Sequence, residues 1–184
     1  MDISRILPHE SVADPARQHI ILVGLPGCGK STVGAMLARR MGRHFLDFDT
    51  EITRREHLAI AAIFAERGEE YFRRLEFGLT EELAAMDSMV LAPGGGWVSR
   101  PETVAILRPT SQLIYLSISP AAALRRMGSR AVTRPLLRGD DPLGELERLL
   151  ATRREAYESA DVIVDVERLD SQRVTDRIQK LLVP

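Results

Sequence analysis

Residues 24–31 (Gly-Leu-Pro-Gly-Cys-Gly-Lys-Ser) carry the glycines, the lysine and the hydroxyl group of a phosphate-binding loop. The loop follows an apolar run at 20–23 and leads into a helical pattern at 32–38, which is the strand–loop–helix context that such a loop requires. Backbone N–H groups would bind phosphate oxygens, Lys30 would reach the β- and γ-phosphates, and Ser31 would bind Mg²⁺. The sequence therefore predicts a nucleoside-triphosphate site.

The predicted nucleotide-binding residues of this loop are Gly27, Cys28, Gly29, Lys30, Ser31 and Thr32. The alternative is an ordinary turn between a strand and a helix, but it does not account for a lysine and a serine at these offsets.

Two carboxylates follow the next short apolar run, at 44–46. Strand alternation would place Asp47 and Asp49 on one side and Phe48 on the other. Beside a phosphate site, one carboxylate could hold Mg²⁺ through water while the other accepts a hydrogen bond from a hydroxyl group. Alternatively, Asp49 caps the helix that follows. Asp47 has no such structural explanation, and a carboxylate at a buried strand end needs a partner.

A glycine triplet follows the apolar run at 89–92 and Pro93. Gly94, Gly95 and Gly96 would let the backbone approach a small ligand and would offer unhindered N–H donors. The alternative is a flexible turn.

Basic residues recur at positions where they could bind anions. Arg73 and Glu76 lie three residues apart on one helical pattern, where an exposed salt bridge is the structural alternative. Arg153 and Arg154 lie on a late helical pattern and are open to the same alternative.

The stretch 128–141 combines flanking glycines with Arg130, Arg134 and Arg138, and Arg126 comes just before it. Such a segment is typical of a mobile lid that brings positive charge over a transferring phosphate. The alternative is a solvated basic loop.

Alternating apolar strands and amphipathic helices must position these groups. We expect strands at 20–23, 44–46, 89–92, 112–116 and 162–164, and helices at 31–41, 51–66, 69–86, 101–107, 120–127, 142–159 and 171–182. This order predicts an α/β domain with a parallel sheet covered on both faces. Ligands of such sheets bind at the carboxyl ends of the strands, where the three loops above would meet.

Composition narrows the class of protein. With 184 residues the chain is long enough for one domain, 19–184, after an N-terminal arm at 1–18. A net charge of −1 gives no general attraction to nucleic acid or membrane. One cysteine excludes an internal disulfide and favours a cytoplasmic protein, and we expect neither a secretory signal nor a membrane span.

Taken together, these motifs resemble the shikimate kinase family over nearly the whole range 20–182. The resemblance rests on residues 24–32, on 45–49 (Phe-Leu-Asp-Phe-Asp), on Ile63-Phe64, on 68–76 (Gly-Glu-Glu-Tyr-Phe-Arg-Arg-Leu-Glu), on 94–96, on 134–137 (Arg-Pro-Leu-Leu) and on Arg153 four residues before Tyr157. It implies a three-layer P-loop kinase fold with strand order 2-3-1-4-5, helices on both faces and a mobile lid at about 128–141.

The resemblance also implies the chemistry: ATP-dependent phosphorylation of the 3-hydroxyl of shikimate, with Mg²⁺ as cofactor. Asp47 would hold Mg²⁺ through water alongside Ser31. Lys30 and Arg134 would stabilise the transferring phosphate, and Asp49 would bind the shikimate hydroxyls and orient the attacking one.

On the same basis, Arg73 and Arg153 would bind the substrate carboxylate and Glu76 would steady the pocket. The glycine triplet would contact the ring, and Arg126 would stack near adenine. The expected partners are ATP and shikimate, with no nucleic acid or membrane partner and a monomeric chain.

Two alternatives stay open at this point. Pro93 and Trp97 flank the glycine triplet where the family commonly has smaller residues, which is compatible with a kinase for gluconate or another small hydroxy acid. The other interpretation of Trp97 is that it packs in the core. A nucleotide-binding regulatory protein without catalysis is the other alternative.

Overall fold

Five parallel strands form a single sheet in the order β2-β3-β1-β4-β5. The strands are β1 (His19–Val23), β2 (Phe45–Asp47), β3 (Val90–Ala92), β4 (Ser111–Ser117) and β5 (Val162–Asp165). The predicted strand order is therefore confirmed. The structure, a computed structural model, describes residues 19–86, 88–129, 137 and 139–182. The predicted arm at 1–18 and the lid residues Arg130, Arg134 and Arg138 lie outside these ranges.

Helices cover the sheet. They are α1 (Lys30–Met41), α2 (Phe48–Glu56), α3 (Ile60–Ala84), α4 (Pro101–Leu107), α5 (Pro120–Met127), α6 (Pro142–Glu158) and α7 (Ser171–Leu182), with short 3₁₀ turns at Trp97–Ser99 and Arg108–Thr110. All five residues of β1 are buried, although their side chains alternate between the two faces, so both faces of the sheet are covered. None of the described helices is long and apolar enough to cross a membrane.

The single helix predicted at 51–66 is wrong, because the chain turns between α2 and α3. His57 ends α2 in the left-handed conformation, with φ 55°, and α3 begins at Ile60. The break predicted between residues 66 and 69 is confirmed at Gly68, whose φ of 81° lies outside the helical region. No periodicity of apolar residues marks the turn at His57, because apolar positions continue through it in helical register.

Helix α1 begins directly at the phosphate loop and ends at the predicted residue. Gly29, with φ 105°, precedes its first residue, and Gly42, with φ 63°, follows its last turn. Both left-handed positions suit glycine, which has no Cβ to clash with the backbone. These two glycines fix where the helix that carries Lys30 and Ser31 starts and stops.

Two helical glycines provide a matched test of this packing. A Cβ built on Gly34 of α1 would lie 2.4 Å from Cε2 of Phe45, at the start of β2, whereas a Cβ on Gly78 of α3 would meet nothing within 4 Å. We therefore expect Gly34→Ala to lower the free energy of unfolding by about 1–3 kcal/mol through overpacking. Gly78→Ala should raise it by about 0.5–1 kcal/mol, because alanine is the better helix former. Urea denaturation measures both, and a loss of stability in Gly78→Ala would contradict the packing described for the two helices.

Candidate active site

A cleft of about 710 Å³ opens at the carboxyl ends of the strands. It is bounded by the phosphate loop, the start of α2, the glycine triplet, α3, α6 and the segment before α7. Its lining residues include Gly27, Gly29, Lys30, Ser31, Thr32, Asp47, Asp49, Arg73, Gly94, Gly95, Gly96, Arg126 and Arg153. Among the described residues, only Cys28 and Glu76 of the predicted site lie behind this surface rather than on it. The three loops that were expected to meet do meet.

The phosphate loop packs tightly against β4 and α5. Gly24 and Gly27 have φ values of 143° and 84°. A Cβ on Gly24 would lie 2.7 Å from the carbonyl oxygen of Leu116, and one on Gly27 would lie 2.7 Å from that of Ala123. Side chains are excluded at both positions by conformation and by space, so none covers the loop backbone there. The N–H of Cys28 donates within the loop, to the carbonyl oxygen of Leu25 at 3.2 Å.

Lys30 lies over its own loop. Its Nζ donates to the carbonyl oxygens of Gly24, at 2.8 Å, and Leu25, at 3.3 Å. The Cys28 side chain is buried beneath the loop, 3.9 Å from Nζ. A positive charge is thus held at the mouth of the loop by neutral acceptors, which a phosphate could replace.

Ser31 and Asp47 are joined across the cleft floor. The Ser31 hydroxyl donates to Oδ2 of Asp47 at 2.5 Å, and Oδ1 of Asp47 accepts from the backbone N–H of Thr50 at 3.1 Å. Asp47, not Asp49, therefore caps the N-terminus of α2. The alternative that Asp49 caps this helix is wrong, because β2 ends at Asp47 and the helix begins at Phe48, three residues before the predicted start at 51.

Asp49 reaches the cleft from the first turn of α2, while Phe48 turns into the core and is fully buried. The two predicted acids therefore share the cleft, but they do so because a helix starts between them rather than by strand alternation. A carboxylate in a first helical turn is also stabilised by the helix dipole.

The glycine triplet covers the charged residues of α3 and α6. A Cβ on Gly94 would lie 2.7 Å from Oε1 of Glu76, and one on Gly96 would lie 2.8 Å from both terminal nitrogens of Arg73. A Cβ on Gly95 would lie 3.0 Å from Arg153. The absence of side chains at these positions is what lets the loop lie against two guanidinium groups and a carboxylate.

Arg73 and Glu76 form a buried ion pair, not the exposed salt bridge that was the alternative. They are 8% and 2% exposed, and the guanidinium donates to Oε2 of Glu76 at 2.6 Å. Glu69, one turn earlier, accepts from the other edge of the same guanidinium at 2.6 and 3.1 Å. The spacing of four residues between Glu69 and Arg73 could have indicated this contact.

Glu76 keeps one oxygen without a hydrogen-bond partner among the described residues, Oε1, which faces Gly94. Burial raises the pKa of the Glu76 carboxyl, and the positive charge of Arg73 opposes that rise. Arg73 is therefore the main group that opposes protonation of this buried carboxyl.

Arg153 is buried on α6, whereas its neighbour Arg154 is exposed. The Arg153 guanidinium interacts with the Tyr157 hydroxyl, which in turn donates to the carbonyl oxygen of Gly95 at 3.2 Å. Burial raises the pKa of Tyr157 to about 12. Its ring stacks on that of Tyr115, with the ring centroids 4.9 Å apart. The phenol is thus a neutral link between a cation and the glycine triplet.

Sequence reasoning did not find the apolar wall of the cleft. Ile60, Phe64 and Phe72 line it, and the two phenyl rings contact each other with centroids 4.9 Å apart. Helical periodicity predicts an apolar face for Phe72, but it does not distinguish a side chain facing a core from one facing a cleft.

At the opposite end of the cleft, Arg126 donates to the carbonyl oxygens of Val166, Glu167 and Leu169, in the segment between β5 and α7. Leu169, Asp170 and Ser171 line the cleft here. Arg126 thus lies on the cleft surface, but its guanidinium is engaged in holding this segment. Arg134 lies outside the described residues.

The strand order, with a phosphate loop after the central strand and a cleft at the carboxyl edge, defines the P-loop kinase fold. The family model for shikimate kinase matches residues 26–183. The shikimate kinase of Dechloromonas aromatica (strain RCB) is 45% identical over 150 residues, covering 81% of this chain and 81% of that protein. That of Symbiobacterium thermophilum is 42% identical over 166 residues, covering 89% and 95%.

The solved structure of shikimate kinase from Acinetobacter baumannii in complex with shikimate superposes with a TM-score of 0.86 at 34% identity, covering 92% of this chain and 94% of that chain. The protein described here belongs to the shikimate kinase family.

The buried ion pair gives a pH-dependent prediction. Arg73→Met should lower the free energy of unfolding near neutral pH by about 3–5 kcal/mol, because it strands a buried charge on Glu76. Because burial raises the pKa of the Glu76 carboxyl in the folded state, its charged form costs stability at a pH above that pKa. The cost disappears as the pH falls and the carboxyl takes up a proton. The difference from wild type should therefore shrink as the pH falls from about 8 to about 5. Denaturant unfolding across that range measures it.

The control is the double variant Arg73→Met/Glu76→Gln, which removes the stranded charge and should recover part of the lost stability at neutral pH. A stability difference between Arg73→Met and wild type that stays constant with pH would contradict the buried-charge explanation.

Proposed function

We propose that this protein transfers the γ-phosphoryl group of ATP to the 3-hydroxyl of shikimate, giving shikimate 3-phosphate and ADP. The observation that carries the proposal is the convergence of Arg73, from α3, and Arg153, from α6, on adjacent glycines of one loop, in the cleft that also contains Asp49. An acid with several hydroxyl groups needs cations for its carboxylate and a carboxylate for its hydroxyls. The relatives described above are themselves shikimate kinases.

At the phosphate end, the backbone N–H groups of Gly27, Cys28 and Gly29 and the first turn of α1, with Ser31 and Thr32, bind the phosphates. Lys30 leaves the loop carbonyls and binds the β- and γ-phosphate oxygens. There its positive charge stabilises the negative charge of the transition state.

The residues near Ser31 fit Mg²⁺. The Ser31 hydroxyl and the Asp47 carboxylate are adjacent hard oxygen donors, which Mg²⁺ prefers. No group of three or more His, Cys, Asp or Glu residues that could hold a metal occurs in the described part of the chain, so phosphate and water would complete the coordination. Mg²⁺ bound here would neutralise phosphate charge, with Asp47 acting through water.

At the acceptor end, Arg73 and Arg153 bind the carboxylate, and Gly94, Gly95 and Gly96 lie against the ring. The Asp49 carboxylate accepts a hydrogen bond from the 3-hydroxyl and aims that oxygen at the γ-phosphorus. As the new P–O bond forms and the bond to ADP breaks, the hydroxyl proton moves towards Asp49. Glu76 stays behind the surface and fixes Arg73.

Lid and base contacts complete the proposal. Arg134 reaches from the lid to the phosphates. Arg126 holds the segment before α7, which forms the proposed adenine site. This anchoring is its main role, and stacking on the base is an additional one. We further propose that the enzyme acts as a monomer and that it works in the cytoplasm. A single cysteine, which cannot form an internal disulfide, suits that reducing compartment.

The alternative acceptor loses its main support, because Trp97 is 1% exposed and does not line the cleft. Of the two unusual residues, Pro93 alone faces the ligand space.

A coupled ADP-release assay with shikimate and gluconate compared side by side tests the proposal. We expect turnover that depends on shikimate, and its loss by at least about a hundredfold in Lys30→Met. The melting temperature of that variant should stay close to wild type, because the hydrogen bonds that the Lys30 ammonium makes to the described residues all lie within its own loop. Turnover with gluconate alone, or ATP binding with no transfer to either acid, would overturn the proposal.

Adjacent arginines on α6 separate carboxylate binding from general charge. Arg153→Met should raise the KM for shikimate by about tenfold or more, the loss expected for one charge-assisted contact, and leave the KM for ATP unchanged. Arg154→Met removes the same charge one residue away at an exposed position and should change neither KM. Equal effects of the two substitutions in steady-state kinetics would show that Arg153 acts only through net charge.

A further inference from the structure

We propose that Trp97 is a positioning residue for the acceptor site, holding the glycine triplet on α3 through Thr80. This inference rests on the proposed function, since it concerns the loop to which the acceptor binds. Trp97 follows Gly96 directly, is 1% exposed and contributes no surface to the cleft. Any effect that it has on the acceptor must therefore pass through its neighbours.

The contact is a chain of two hydrogen bonds. The indole N–H of Trp97 donates to Oγ1 of Thr80 at 3.0 Å, and the Thr80 hydroxyl donates to the backbone carbonyl of Glu76 at 2.7 Å. Thr80 is fully buried, so its single proton is committed to Glu76 and its lone pair faces the indole. The side chain after the glycine triplet is thus tied to the helical turn that carries Glu76.

The position of this loop matters on a scale of tenths of an ångström. Positions 94 and 96 leave no room for a methyl group against Glu76 and Arg73. A second tie, from Tyr157 to the carbonyl of Gly95, holds the other side of the loop against α6. Trp97 and Tyr157 therefore clamp the triplet between the two helices that supply the guanidinium groups.

Substitutions that remove one hydrogen-bonding group test this role, and Thr80→Val does so at nearly constant volume. Trp97→Phe and Thr80→Val should each raise the KM for shikimate by about fivefold, because each removes the hydrogen bond between the indole and the Thr80 hydroxyl and frees the loop. The KM for ATP should change little. Thr80→Ser keeps the hydroxyl and should restore the wild-type KM. In the double variant Trp97→Phe/Thr80→Val the rise should not exceed that of either single change, since both act on one bond.

Thr175 provides the control. It is fully buried on α7 and its hydroxyl donates to the carbonyl of Ser171 at 2.7 Å, the same backbone contact without a tryptophan partner. Thr175→Val should leave the KM for shikimate unchanged. Calorimetric titration of shikimate without nucleotide should reproduce the order of the variants.

If Trp97→Phe and Thr80→Val lower the melting temperature but leave the KM for shikimate unchanged, Trp97 only fills the core and the inference is wrong. Additive effects in the double variant, or equal rises in the KM for both substrates, also overturn it. Failure of the wild-type protein to phosphorylate shikimate would instead reject the proposed function.

Discussion

The buried ion pair between Arg73 and Glu76 determines the geometry of the acceptor half of the cleft. Neither charge could stay at this depth alone, because each would lose its hydration without a compensating partner. Glu69 supplies a second carboxylate from the previous turn, so the guanidinium is fixed from two edges. A fixed guanidinium in turn requires bare backbone beside it, which explains why the loop opposite consists of glycines.

The nucleotide half follows a different principle. Its cation, Lys30, is held by backbone carbonyl oxygens, and its acid, Asp47, is held by a hydroxyl group and a backbone N–H. All these partners are neutral, so a phosphate can replace the carbonyl oxygens around Lys30 without separating a buried pair of opposite charges. In the acceptor half, charged side chains are therefore fixed by one another. In the phosphate half, Lys30 can exchange its loop carbonyls for phosphate oxygens. Both halves rest on adjacent strands, which keeps them in register.

Much of this arrangement could be predicted from sequence. The phosphate loop and the meeting of three loops follow from local patterns and from the rule that parallel strands end at one edge. The strand order and the convergence of the glycine triplet with two arginines were implied by the resemblance to the family. Other features could not. The capping role of Asp47 depends on where β2 stops, and burial of Arg73 depends on the loop that covers it. The link from Trp97 to Thr80 joins residues on separate elements, and no periodicity encodes it.

The sheet order also divides the chain. β2 and β3 lie on one side of β1, and β4 and β5 lie on the other. Apart from Arg153, the residues proposed to bind the acceptor fall within 49–96, whereas the end of the cleft proposed to bind the base is lined by residues after 125. During evolution, a duplicated gene could therefore change its small-molecule preference within one continuous stretch of coding sequence. The phosphate-binding loop would stay unchanged. Separate segments for the two substrates are thus a route by which one ancestral fold can acquire new acceptors.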